Sequence, residues 1–300
     1  MMNCLLIKKD KSIIDITDVL SEVSFGGSIE QGGRTLEITV ANDGTKYEVG
    51  DTVNYRDTDI DYVGQIQKNT NSNKQEVLEF EIVDYMSHWT RSKTTKVVNT
   101  TAESVAVEFC NYMGMAIGSI ANTGIALKEK IYKDQSFYNI AKDLYDRAGA
   151  INGKQYYFKI VGAYFNVFEK GEILTYQIGD KINLDTIRKI EDISQLVNKV
   201  VVFDDKSRLI KEKTNETLGI VGLYQEVADK DDNIDEILTD VENTLEVSGI
   251  GDNSCQAGKY IRFEDSETGL TGIYEITEDS HTINSNGHLM TLRLKFIRIA

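Results

Sequence analysis

Residues 50–64 read GDTVNYRDTDIDYVG, and residues 258–272 read GKYIRFEDSETGLTG. Each stretch opens on a glycine (Gly50, Gly258) and closes on one fourteen positions later (Gly64, Gly272). Between them Val53, Tyr55 and Asp57 stand where Ile261, Phe263 and Asp265 stand, at a constant offset of 208. Alternating apolar residues that end on an aspartate predict a half-buried strand closed by a turn. Each copy then crosses a polar stretch (Lys68–Gln75, Glu278–His288) into an apolar strand. That strand carries Val77, Leu78, Phe80 and Ile82 in the first copy and Leu289, Leu292, Leu294 and Phe296 in the second. Two readings are open. Self-similarity marks repeated units, but the same pattern also describes many unrelated antiparallel hairpins. A true duplication gives two related β-units per chain, and three such chains in a ring present six.

Around this pattern the composition is that of an ordinary globular protein, with 41% hydrophobic and 27% charged residues in 300. That length is enough for two domains with real cores. A formal net charge of −15 argues against nucleic-acid binding, which needs a basic patch for phosphates. It is compatible with a surface that DNA passes without sticking, since like charges repel. Cys4, Cys110 and Cys255 are odd in number and widely spaced, so they read as buried or incidental thiols in a reducing compartment rather than a disulfide framework. The start, MMNCLLIKKDKS, has too short an apolar run for a signal peptide. No stretch reaches the roughly 20 apolar residues that span a bilayer. Synthesis in the cytoplasm without membrane insertion is the expectation.

Periodicity divides the chain. Residues 1–95 read as a first antiparallel β-barrel, with strands such as Leu36-Ile38-Val40 and turns at Gly26-Gly27, Gly32-Gly33 and Asn42-Asp43-Gly44. Residues 96–194 read as a helical and β-hairpin middle domain. Thr100 and Glu103 form a capping box before a helix carrying Val105, Phe109, Tyr112 and Met113 and stopped at Gly114. Asp134 caps a second helix, with Phe137, Ile140, Ala141, Leu144, Tyr145 and Ala148 on one face before Gly149. Strands follow at Tyr156–Val161 and Tyr164–Phe168, joined tightly through Gly162-Ala163. Residues 195–300 read as a second β-barrel. In it Asn198–Phe203 is a strand buried on both faces, and a helix is inserted near 232–247 with Ile234, Ile237, Leu238, Val241 and Leu245 on one side and Gly249 as its stop. The predicted fold class is α+β, mainly β.

No catalytic, cofactor-binding or metal site stands out. His281 and His288 flank the turn Asn284–Gly287 and face each other across a hairpin, but no further ligand has zinc spacing to them, so they read as surface histidines. The acidic run Asp229–Glu236 lacks the glycine and glutamate of a calcium loop and reads as the charged first turn of a helix. Gly249-Ile250-Gly251 follows a helix rather than a strand and is not a dinucleotide fingerprint. Asp57 and Asp265 read as turn residues closing their strands. Trp89, the sole tryptophan, is thin support for a glycan-binding platform.

The order of motifs resembles a family. Asn198-Lys-Val-Val opens a strand, Gly222-Leu-Tyr224 precedes an acidic helix, and Gly251–Gly258 reads GDNSCQAG. Gly269-Leu-Thr-Gly272-Ile-Tyr-Glu-Ile276, Ser280-His281-Thr282 and a final HLMTLRL strand follow. In the N-terminal half Gly64–Asp84, Thr100–Glu103 and Lys154–Tyr157 fit as well. In serial order these are similar to the YqbQ-like tail hub proteins of PBSX-type prophages and phage-tail-like bacteriocins, within the baseplate-hub and gene D superfamily of contractile tails. The resemblance implies a non-enzymatic homotrimer with two related barrels per subunit, joining a hexameric tail tube to a trimeric spike. Implied partners are the tube or a LysM-bearing tube-initiator protein, the spike and other baseplate proteins. Some relatives carry a fused cell-wall hydrolase; the end at Ala300, directly after the last strand, implies none here. The alternatives are a tail-associated peptidoglycan hydrolase and a carbohydrate-binding accessory protein.

Overall fold

The computed structural model describes residues 2–69, 71, 75–180, 182–204, 206–215, 224–228 and 234–299. The first segment supplies β1 (Asn3–Ile7), β2 (Ile13–Asp15), β3 (Leu20–Ser28), β4 (Arg34–Ala41), β5 (Thr52–Asp57), β6 (Ile60–Asn69) and β7 (Val77–Asp84). Their apolar residues alternate inward as anticipated: Leu36, Ile38 and Val40 of β4 and Phe80 and Ile82 of β7 are buried in one cluster with Leu6, Val53, Tyr55 and Ile66. Gly32, at φ 68°, makes the β3–β4 turn. Two expected turns differ. Asn42–Gly44 connects β4 to β5, which are not neighbours, so it is a loop rather than a hairpin. Gly26-Gly27 lies inside β3, in register with β4 on one side and with a C-terminal strand on the other.

The middle segment holds α1 (Met86–Arg91), β8 (Lys93–Val98), α2 (Ala102–Met113), β9 (Ala116–Ile120), β10 (Lys130–Ser136), α3 (Phe137–Asn152), β11 (Tyr156–Val161) and β12 (Tyr164–Glu169). Thr101, not Thr100, caps α2 by accepting from the Ser104 N–H, and Gly114 ends it in the left-handed region. Glu103 turns away from the cap and accepts from Thr123 Oγ1 at 2.8 Å. Ser136 rather than Asp134 caps α3, because Asp134 is held in β10 at φ 50°. The helix runs past Gly149 to Gly153, since Gly149 packs so closely that a Cβ would come 2.4 Å from the Lys154 carbonyl oxygen. The anticipated face of α3 is fully buried, whereas Tyr112 of α2 is 79% exposed. Trp89 fills the centre of this second core, stacked on Phe165 at 4.2 Å between ring centroids and edge-on to Phe109. The β11–β12 hairpin closes through Gly162-Ala163.

The remainder holds β13 (Ile173–Gly179), β14 (Leu184–Asp192), β15 (Lys199–Phe203), β16 (Leu209–Thr214), β17 (Gln225–Ala228), α4 (Ile234–Ile237), β18 (Glu242–Ile250), β19 (Tyr260–Asp265), β20 (Leu270–Asn284) and β21 (Gly287–Arg298). The chain forms two compact units. One comprises residues 1–186 and 247–300, the other residues 187–246. In the second, β15 lies between β16 and β17, and Val200 and Val202 pack with Ala228 and Ile234. The expected helix over 232–247 is a single turn. Residues 229–233, the first part of the acidic run, lie outside the described residues. From Glu242 the chain is a strand, with Leu245, Val247 and Gly249 buried alternately between more exposed neighbours. Thr244 and Val247 are β-branched, which favours that outcome.

In the first unit the sheet runs β21-β20-β3-β4-β7-β6-β5-β1-β2, with β19 also on β20 and β13 on β19, while β14 and β18 pair with each other and each contain residues of both units. The strand order is open; among the described residues it does not close into a barrel. The chain is mainly β with few helices, and most ladders are antiparallel. The β3–β20 ladder, with Phe25 opposite His281, joins the N- and C-terminal strand regions into a single sheet.

Candidate functional site

Two features of the first unit stand out: the paired hairpins and the buried polar node where the two strand regions meet. At the first hairpin Gly50 adopts φ 91°, its N–H donates to the Ile66 carbonyl at 2.9 Å, and the Ile66 N–H returns to the Asp51 carbonyl at 2.9 Å. At the second, Gly258 adopts φ 95°, its N–H donates to the Ile276 carbonyl at 2.9 Å, and the Ile276 N–H returns to the Lys259 carbonyl at 2.9 Å. Val53 and Tyr55 on β5 and Ile261 and Phe263 on β19 are all buried. Each following strand then bulges directly after that isoleucine, between Ile66 and Lys68 and between Ile276 and Glu278. Asp57 and Asp265 both accept turn hydrogen bonds, from the Thr58 and Thr268 N–H groups.

The closing glycines do not correspond. Asp57 pairs with Ile60 across a two-residue turn, and Asp265 pairs with Leu270 across a four-residue one. Gly64 therefore faces Val53, while Gly272 faces Phe263 rather than Ile261. Equal spacing in sequence conceals a longer second turn. The outer neighbours differ too, β1 being antiparallel to β5 and β13 parallel to β19.

The polar node grows from the double glycine. In one row across the sheet Arg34 of β4 stands opposite Gly27 of β3, which stands opposite Asp279 of β20. With no side chain at Gly27, Arg34 crosses over it; a Cβ there would sit 2.8 Å from Arg34 Cγ. The guanidinium then donates to Asp279 through Nη1 at 2.8 Å and Nη2 at 2.5 Å. Such forked pairs fix geometry as well as charge. Asp279 also accepts from the Ala257 N–H at 2.7 Å. Burial pushes its carboxyl up, but Arg34 and His281 outweigh burial and hold it well below the usual carboxylate range. Asp84 accepts from the Arg34 and Met86 N–H groups, yet burial pushes it up to about 7.

His281 is fully buried, not on the surface as its sequence context suggested. It stacks on Phe25 with centroids 4.5 Å apart, places Nε2 2.9 Å from the Cys255 carbonyl, and places Nδ1 3.0 Å from Nε2 of His288. Both ring nitrogens are thereby engaged, so neither is placed to activate a nucleophile. The Cys255 thiol is itself pushed far above the usual thiol range by burial. The arrangement ties strands together.

Lys159 of β11 completes the node. It donates to Gln256 Oε1 at 2.5 Å, and burial, reinforced by Arg34, pushes its ammonium down to about 7. An unfolded lysine keeps its proton to about 10.5. Between these values the unfolded chain binds more protons, so stability rises with pH across that window. The urea midpoint of the native sequence is expected to increase from pH 7 to about 9.5. In Lys159→Met that rise should be lost; an equal slope in both proteins would show that Lys159 stays charged.

Ile182, Ile250 and Leu289 are more than half exposed and line an open groove of about 560 Å³ with Asp180 and Asp185. No helix among the described residues is long and apolar enough to cross a membrane. No group of three or more His, Cys, Asp or Glu among them could hold a metal ion.

The YQBQ-like family model matches residues 23–295. The chain belongs to the YQBQ-like family. A search of curated protein sequences gives no match. Among solved structures, the fold is shared with the 43 kDa tail protein of prophage MuSo2 from Shewanella oneidensis, at TM-score 0.70 and 11% identity over 98% of each chain. It is also shared with prophage tail protein gp18 from Listeria monocytogenes EGD-e, at TM-score 0.59 and 14% identity over 97% of this chain and 94% of that one. A third is an E. coli type VI secretion component described as structurally similar to the T4 tail proteins gp27 and gp5. There the TM-score is 0.57 and the identity 10%, over 93% of this chain and 74% of that one. The matched residues 23–295 hold both hairpins and the polar node.

Proposed function

We propose that this chain is a structural hub subunit of the baseplate of a phage tail or phage-tail-like bacteriocin. It acts as a homotrimer joining a hexameric tail tube to a trimeric spike. The observation that carries the proposal is the pair of hairpins. Each has a glycine in the left-handed region, two reciprocal hydrogen bonds to an isoleucine and a bulge just after it. Such a pair is what internal duplication leaves behind. Three chains then offer six similar edges to a sixfold tube and a threefold face to a spike, a matching of symmetries that closed rings require. Exposed Ile182, Ile250 and Leu289 supply apolar surface of the kind assembly contacts bury. Excess carboxylate directed to the ring's inner wall would let DNA or a tail component slide without sticking.

The test is to express a tagged copy beside the particle genes and separate tails from soluble protein, with a parallel zymogram. The tag should pellet with tails and the protein should clear no cell wall. A soluble monomer that clears cell wall would replace the hub reading with a tail-associated peptidoglycan hydrolase.

A further inference from the structure

The loop Gly251–Gly258 joins the two hairpins. Asn253 Nδ2 donates to the Thr58 carbonyl at 2.8 Å, in the turn of the first hairpin, and the Gly251 N–H donates to the His288 carbonyl at 2.8 Å. The loop is held to the sheet by the Ala257 N–H on Asp279, the Cys255 carbonyl on His281 and the Gly258 N–H on the Ile276 carbonyl, and its Gln256 side chain accepts from Lys159. The His288 ring lies flat against Gly251, where a Cβ would come 2.1 Å from Cδ2.

The proton inventory of this contact is restricted. The Cys255 carbonyl can only accept, so His281 Nε2 carries a hydrogen, and in the neutral ring Nδ1 is an acceptor. His288 must then donate from Nε2. One added proton is tolerated, because a single hydrogen still lies between the two rings. A second sets N–H against N–H at 3.0 Å, and the rings must part.

We propose that the His281–His288 pair is a proton-sensitive latch that releases the Gly251–Gly258 loop, and with it the bridge between the two hairpins, when both rings are charged. The charged groups facing the pair come from several elements. Asp279 on β20 lies 3.4 Å from His281 Nε2 and is itself paired with Arg34 on β4. Asp252 on the loop and Asp57 at the end of β5 favour charge on His288, and Lys159 on β11, whose own charge burial and Arg34 oppose, is the further cation of the node. Phe25 of β3 covers one face of His281 without charge. His288 is the ring that moves, being partly exposed at the start of β21. Burial and His281 together hold it below the ordinary histidine value. Below about pH 6.5 the unfolded chain therefore takes up this proton first, and stability falls as the pH drops.

The test is NMR on the intact protein, following its three imidazoles with His88 as an exposed reference and the amides of residues 251–258. The pair should titrate in two steps at least about one pH unit apart, as coupled groups do. With the second step, loop-amide protection, corrected for intrinsic exchange, should fall about tenfold, the effect of one unit of differential protonation. His288→Gln keeps a donor toward Nδ1 but cannot charge, so its loop should keep protection within about twofold over the same range. Independent single-step titration of both rings, or equal loss of protection in His288→Gln, would overturn the latch. Should His288→Gln fold poorly, the native protein's two-step titration decides alone.

Discussion

Asp279→Ala is expected to lower the free energy of unfolding by about 3–5 kcal/mol, the cost of leaving one member of a buried ion pair without its partner. The guanidinium of Arg34 is largely buried where it crosses β3, and it makes forked bonds to the Asp279 carboxylate. Alanine also strips an acceptor from the Ala257 N–H and the countercharge from beside His281. Folded domains have only about 5–15 kcal/mol in hand, so the variant should lose most of its soluble yield. The double variant Arg34→Met with Asp279→Leu separates charge from packing. Apolar replacements of similar volume at buried pairs are often neutral or stabilising, so the double variant should recover most of the loss. Urea unfolding followed by circular dichroism measures both. A single variant within about 1 kcal/mol of the native sequence would show that Arg34 finds water or another partner.

Trp89→Ala should cost about 3–5 kcal/mol, the range for truncating a large buried aromatic residue. Its ring is fully buried, stacks on Phe165, meets Phe109 edge-on and donates from Nε1 to the Met115 sulfur at 3.0 Å. Alanine leaves a cavity where α1, α2 and β12 meet. Trp89→Phe keeps much of the stack and should cost less than half as much. Trp89 is the sole tryptophan, so thermal melts of the variants must be followed by far-ultraviolet circular dichroism rather than emission. Equal melting temperatures for all three proteins would mean that this core is not cooperative with the rest of the unit.

What could be read in the sequence was local. The alternation in β4, β5, β7 and β19 and the apolar face of α3 depend on neighbours a few residues away, and they fold as the pattern says. Gly114 ends α2 because the left-handed region suits glycine. The misreadings come from long-range contacts. Gly26-Gly27 looks like a turn until β20 and the Arg34 side chain arrive on either side of it. Val241 and Leu245 fit a helical stripe, but strand pairing selects the alternation of Leu245, Val247 and Gly249. His281 reads as superficial from the Asn284–Gly287 turn that it flanks, and it is buried because β3 brings Phe25 against its ring. Nothing in either glycine-bounded stretch reveals that the second turn is longer, since equal spacing is conserved by coincidence of Gly272. The polar node as a whole has no motif. Its one legible sign was a pair of glycines too close together for an ordinary strand.

Electron microscopy of the purified particle end, with class averages taken down the tail axis, tests the hub proposal most directly. Three copies of this chain should form a closed ring, with six similar density lobes toward the tube and threefold symmetry toward the spike. A ring with any other number of copies, or six copies of one hairpin at the tube face with the other hairpin elsewhere, would contradict it.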